Sequence, residues 1–140
     1  MKIGFTGTRR DITARQYEEL EKLLNRIVME EFHHGDCVGA DATAHSIMMR
    51  SKTLIVIHPP TKSEARAYCT GQNIIILPAR EYLSRNKDIV NATEMLIACP
   101  AGPEVLRSGT WSTVRYAEKN KKEQVILWPN GNMSIKRKER

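Results

Sequence analysis

The segment Glu94-Met95-Leu96-Ile97-Ala98-Cys99, ended by Pro100, decides the fold. After Glu94 it is apolar throughout, without the polar alternation of a half-exposed strand, which marks a strand buried on both faces. The proline stops it because its ring removes a ladder N–H and fixes φ. Two further segments read the same way: Thr53-Leu54-Ile55-Val56-Ile57-His58 before Pro59-Pro60, and Asn73-Ile74-Ile75-Ile76-Leu77 before Pro78. Shorter runs at residues 2–6, 32–34 and 124–128 add three more strands.

Helical patterns fill the spaces between them. Thr13-Ala14-Arg15-Gln16 has the form of a capping box, with Ile12 and Tyr17 placed for a hydrophobic staple. Beyond it Leu20, Leu23, Leu24 and Ile27 recur at helical spacing, opposite Glu18, Glu19, Lys22 and Arg26. Further helices are expected at about 39–50, 84–92 and 109–120, with a helical turn or two at 62–68. Strands alternating with helices require right-handed crossovers. The expected fold is therefore α/β, a Rossmann-like three-layer sandwich with a mostly parallel sheet of five or six strands.

Composition agrees with a single domain. The chain has 140 residues, 41% hydrophobic and 27% charged, which excludes disordered and low-complexity classes. No apolar run approaches the roughly 20 residues of a membrane span, and no signal peptide is legible, so no membrane partner is expected. Cys37, Cys69 and Cys99 are odd in number and lack metal-ligand spacing, which suits reduced thiols in a cytoplasmic protein. The net charge is +6, and half of that excess lies in the last five residues. Residues 1–130 read as one domain and 131–140 as a short basic tail, solvated or weakly phosphate-binding.

In a sheet of this kind ligands bind beyond the carboxyl ends of the strands. Three polar or glycine-bearing segments follow strands: residues 7–10, 35–41 and 107–113. Ser108-Gly109-Thr110 opens a helix whose free N–H groups and dipole favour an anion, with Ser108, Thr110 and Thr113 supplying hydroxyls; alternatively Ser108 is only the N-cap. Gly7, Thr8 and Arg9 form a second phosphate contact, or Arg9 is a solvated charge. Asp41 either bonds a ribose hydroxyl or complements a helix dipole. His33 and His34 point to opposite faces of a strand and cannot share an ion. Asp41 and His45 stand four residues apart, which suits a structural pair better than a metal site, so neither metal nor cofactor is expected. No GxxxxGK[ST], GxGxxG or GxSxG motif occurs.

Four stretches together resemble the SLOG superfamily: GTRR at 7–10, HHGDCVGADATAH at 33–45, RNKDIV at 85–90 and SGTWSTVRYA at 108–117. The DNA-processing protein A (Smf) branch is the most similar, with Asp36 and Cys37 replacing a glycine and an alanine of its pattern. The resemblance implies a nucleotide or nucleic-acid phosphate site formed by Gly7, Thr8, Arg9, Gly39, Asp41, Arg85, Asn86, Ser108, Gly109, Thr110 and Thr113. It also implies a homodimer. LOG-type phosphoribohydrolases of the same superfamily carry a glutamate where this chain has Thr113. Binding of a nucleotide-type small molecule without turnover is therefore the leading expectation. The alternatives are a nucleoside 5′-monophosphate N-glycosidase using Glu104 or Asp41, and single-stranded DNA binding.

Overall fold

Every apolar segment named above is a strand in the computed structural model, which describes residues 1–137, and all of them join one sheet; the segment at 73–77 is not buried as expected, because it lies at the sheet edge with Ile75 and Ile76 exposed. Strands β1 (Lys2–Gly7), β2 (Glu31–His34), β3 (Leu54–Ile57), β4 (Ile74–Ile76), β5 (Met95–Cys99), β6 (Glu123–Leu127) and β7 (Met133–Lys136) take the order β4-β3-β2-β1-β5-β6-β7. All neighbours are parallel except β6 and β7. Helices α1 (Ala14–Arg26), α2 (Ala40–Met48), α3 (Tyr82–Asn91) and α4 (Gly109–Lys119) connect them, with a single 3-10 turn at Ser63–Ala65. Among the described residues no helix is long and apolar enough to cross a membrane.

The lack of alternation in β5 follows from two cores. Ile97 and Cys99 join Leu20 and Leu24 of α1 and Ile47 and Met48 of α2 on one face of the sheet. Leu96 and Ala98 join Trp111, Val114 and Ala117 of α4 on the other. From Leu96 to Cys99, each residue therefore leaves water whichever way it points.

The seventh strand departs from the expected five or six. Residues 133–136, which the sequence reading assigns to the tail, pair antiparallel with β6 in the register Val125–Ile135 and Leu127–Met133. The turn is Pro129-Asn130-Gly131-Asn132, with Gly131 at φ +89° and the Trp128 amide donating to the Asn132 carbonyl at 2.8 Å. Its turn residues are ordinary hairpin formers, but the strand that follows has only Met133 to anchor it, while Ile135 stays 60% exposed. Residues 138–140, the remainder of the proposed tail, lie outside the described residues.

The capping box at the start of α1 forms in both directions: Thr13 Oγ1 accepts from Gln16 N and Gln16 Oε1 accepts from Thr13 N, each at 3.0 Å. Gln16 does more than cap. Its buried amide nitrogen donates to the carbonyls of Pro100 (2.8 Å) and Leu127 (3.0 Å), tying α1 to the ends of β5 and β6. Helix α3 begins two residues before the expected position because the Glu81 carboxylate caps the amides of Leu83 and Ser84.

The chain runs outward from β1 through β2, β3 and β4, then returns to β5 on the other side of β1. The switch point is therefore between β1 and β5, and the carboxyl ends there open the crevice described next. Gln16→Ala strands two buried carbonyls and one cap amide. It is expected to lower unfolding free energy by about 2–3 kcal/mol, read as a lower urea midpoint at unchanged m-value.

Candidate functional site

A cavity of about 690 Å³ lies over the carboxyl ends of the strands, a size ordinary for small-molecule sites. Phe5, Thr6 and Gly7 form its floor, and the walls come from four places: the loop 8–10, Gly35 with Cys37 and Asp41, Tyr82 with Arg85 and Asn86, and the segment 100–111. Of the residues expected in the site, Gly7, Thr8, Arg9, Asp41, Arg85, Asn86, Ser108, Gly109 and Thr110 line this one cavity.

Gly39 and Thr113 stand off its wall. Gly39 has φ +92°, and a Cβ there would come within 2.6 Å of the backbone oxygens of Thr8 and Arg9. Its role is to let the start of α2 cross the loop after β1, where the Ala40 amide donates to the Thr8 carbonyl at 2.9 Å. Thr113 is 1% exposed and its hydroxyl donates to the Gly109 carbonyl at 2.7 Å, so it serves the helix. Glu104 also stays off the wall: it is exposed and pairs with Arg115 at 2.9 Å. Arg115 further donates to the Leu106 carbonyl at 2.9 Å, fixing the loop that leads into α4.

At the start of α4, Ser108 Oγ accepts from Trp111 N at 3.3 Å, so the serine both caps the helix and faces the cavity. The amides of Gly109 and Thr110 make no hydrogen bond among the described residues. Nothing lies within 4 Å of a Cβ built on Gly109, so the space beside Gly109 is open. Arg9, Arg10 and Arg107 also line the cavity, are exposed, and have no carboxylate partner among the described residues. Open helix amides beneath a cationic rim form an environment for an anion.

On and behind the opposite wall, buried polar groups stand in contrasting states. Asp36, at φ +56°, has both oxygens occupied, by Arg66 Nε at 2.9 Å and Cys69 N at 2.8 Å. Asp41 accepts from the Cys37 amide through Oδ2 at 3.1 Å, but its Oδ1 is buried with no partner among the described residues. Burial raises the Asp41 carboxyl to about 6, against the opposing pull of Arg85. Arg85 is itself buried and directs its guanidinium to the carbonyls of Gly35 and His58 and to Asn86 Oδ1. It therefore positions the ends of β2 and β3, and a Cβ on Gly35 would collide with it.

Tyr82 is a site residue the sequence reading missed. Its ring stacks under Arg9 at 4.4 Å, with Arg85 at 5.3 Å, and its buried hydroxyl has no partner among the described residues. Nothing in its local sequence marks it, apart from standing three residues before Arg85 at the start of a helix. Trp111, also missed, closes the cavity and packs on Trp128 at 5.6 Å.

The histidines form two closed chains. The Asp36 amide donates to His34 Nδ1 (3.0 Å), so the His34 proton sits on Nε2 and goes to His45 Nδ1 (3.0 Å). His45 in turn donates from Nε2 to the Thr70 carbonyl at 2.9 Å. The expected Asp41–His45 pair does not form, because each group has a different partner. On the other face Glu31 accepts from His33 Nε2 (2.8 Å), leaving His33 Nδ1 to accept from His58 (2.7 Å). Burial holds His34 well below its ordinary value and lowers His58 to about 4.

His34, His45 and Cys69 bring ligand atoms within 4.8 Å of one another. An ion on His34 Nε2 would nonetheless demand an imidazolate, since Nδ1 already accepts a backbone proton. The Cys69 thiol is pushed up to about 12 by burial and by Asp36. The donor set therefore favours a neutral hydrogen-bonded cluster over a metal centre.

The chain matches no protein-family model and no curated protein. Its fold is similar to three solved structures. One is the molybdenum cofactor binding protein from the phototrophic bacterium Rippkaea orientalis, with TM-score 0.68 and 23% identity over 91% of this chain and 76% of that one. The second is TM1055, a structural-genomics target, with TM-score 0.63 and 12% identity over 90% and 73%. DNA processing protein A from Helicobacter pylori, described for its single-stranded DNA binding, gives TM-score 0.62 and 17% identity over 91% of this chain and 65% of that chain. At these identities the likeness establishes a Rossmann-like three-layer fold, and that fold agrees with the SLOG-type domain the motifs resemble.

The buried carboxyl has a measurable consequence. Asp41 binds its proton more tightly folded (about 6) than unfolded (3.8), so its contribution to stability is present below 3.8 and is lost as pH rises through about 6. His34 and His58 act oppositely, weakening the fold as pH falls below 6.5. Asp41→Asn is expected to gain stability relative to the native chain between pH 4 and pH 7. The gain is about 2 kcal/mol, somewhat less than the full shift at about 1.4 kcal/mol per tenfold change in proton affinity, because pH 4 lies close to the unfolded value. Paired urea titrations at the two pH values measure it; a difference independent of pH contradicts the assignment.

Proposed function

We propose that this domain binds a nucleotide or nucleotide-derived small molecule, with its phosphate at the start of α4 and its remainder extending toward Asp41 and Tyr82. The observation that carries the reading is the free amides of Gly109 and Thr110, opening into the same cavity as Arg9, Arg10 and Arg107. Helix amides and guanidinium groups recognise phosphate by charge-assisted hydrogen bonds. The structural neighbours lend support of a general kind, since one binds the molybdenum cofactor and another single-stranded DNA.

Binding without turnover fits the absence of a carboxylate at Thr113 and the engagement of Glu104 by Arg115. Asp41 is the carboxylate on the cavity wall among the described residues, so an N-glycosidase reading rests on it alone. Single-stranded DNA binding would use the same rim, and the lysines at 119, 121 and 122 lie at the other end of α4.

The test is thermal shift with nucleoside mono-, di- and triphosphates and a short oligo-dT, followed by a search for released base. A nucleotide at 100 times its Kd should stabilise by about 2.7 kcal/mol, several degrees in Tm. Gly109→Asp places a carboxylate in the open space at the helix start, where it favours the helix and repels phosphate. The variant should keep or raise the unliganded Tm and lose the nucleotide shift. No shift with any nucleotide in the native protein overturns the proposal; released base that depends on Asp41 makes the domain an enzyme.

A further inference from the structure

Resting on the nucleotide reading, we propose that Asp41 and Tyr82 make this a ribonucleotide site: Asp41 Oδ1 and the Tyr82 hydroxyl take the vicinal 2′- and 3′-hydroxyls of a ribose whose 5′-phosphate sits at the start of α4.

Three polar side-chain atoms are buried without a partner among the described residues, and two of them, Asp41 Oδ1 and Tyr82 Oη, belong to walls of the same cavity. A buried carboxylate oxygen lacking a donor is destabilising, and such groups are normally satisfied. The rest of this region obeys that rule closely, down to both oxygens of Asp36 and every ring nitrogen of His34 and His45. The exceptions in this region are therefore confined to where a ligand would complete them.

The chemistry of the pair selects the ligand. A carboxylate oxygen only accepts, whereas a phenol both donates and accepts. Two adjacent hydroxyls match that pair: one donates to Asp41, and the other exchanges a hydrogen bond with Tyr82. Position agrees. Asp41 opens α2 after β2, α4 follows β5, and the two strands flank β1, so the two groups line one cavity from either side of its floor. Arg85, over the Tyr82 ring and beside Gly35, holds the two walls together.

Isothermal titration calorimetry of the whole chain with AMP, 2′-deoxy-AMP, GMP and 2′-deoxy-GMP tests this. Both ribonucleotides should bind about tenfold or more tightly than their deoxy forms. Asp41→Asn should bring AMP down to the 2′-deoxy-AMP level while changing 2′-deoxy-AMP about twofold or less. Tyr82→Phe, which removes one oxygen, should narrow the same ratio. Equal binding of ribo and deoxy forms by the native protein overturns the ribose assignment and leaves the nucleotide reading standing. Preference for both guanine nucleotides regardless of sugar also overturns it, giving Asp41 to the base. Failure of all four to bind, with no thermal shift, overturns both readings.

Discussion

A parallel strand between two helical layers must be apolar on both faces, and this requirement organises the molecule. β5 sends Ile97 and Cys99 into one core and Leu96 and Ala98 into the other. The helices over each face then have fixed sides to bury, and the connections have to run from one end of the sheet to the other. Because every β-to-α connection leaves from the carboxyl ends, polar loop residues collect there. The site is thus a by-product of how the cores are closed.

Close backbone packing sharpens that arrangement. Gly39 admits the loop after β1 against the start of α2, and Gly35 admits the Arg85 guanidinium against the end of β2. Arg85 then bonds the carbonyls at the ends of β2 and β3, while Gln16 does the same for β5 and β6. A rigid rim is what lets isolated groups stay unpartnered, since a flexible loop would fold over Asp41 and satisfy it. The histidine chains contribute to the same rigidity: each ring has its tautomer set by a neighbour, and burial keeps His34 and His58 neutral over the ordinary pH range.

The fold was legible because its signals are local. Proline stops after apolar runs, the capping box at Thr13 and the helical spacing of Leu20, Leu23 and Leu24 each depend on residues a few positions apart. β7 was missed because an edge strand buries little and so has little pattern to show, with Ile135 exposed and Met133 alone reaching the core. The site was legible in outline, since loops after parallel strands converge whatever their sequence. Its inner detail was not. Tyr82 carries no local mark, and Asp41 suited His45 by spacing alone, whereas in the folded chain it is His34, on a strand rather than the same helix, that occupies the His45 ring.

The sequence by itself determined six of the seven strands and the four helices, that those six strands run parallel with the central ones covered on both faces, and which loops meet at the carboxyl edge. Those properties follow from hydrophobic period, caps and prolines, all short-range. Only the tertiary structure decided which polar groups are occupied and which are free. Asp36 is held by Arg66 and Cys69, 30 and 33 residues along the chain, Glu104 is drawn to Arg115, and Asp41 and Tyr82 are left over. A hydrogen-bond inventory is settled by partners brought together in space, and no pattern within a single segment records it.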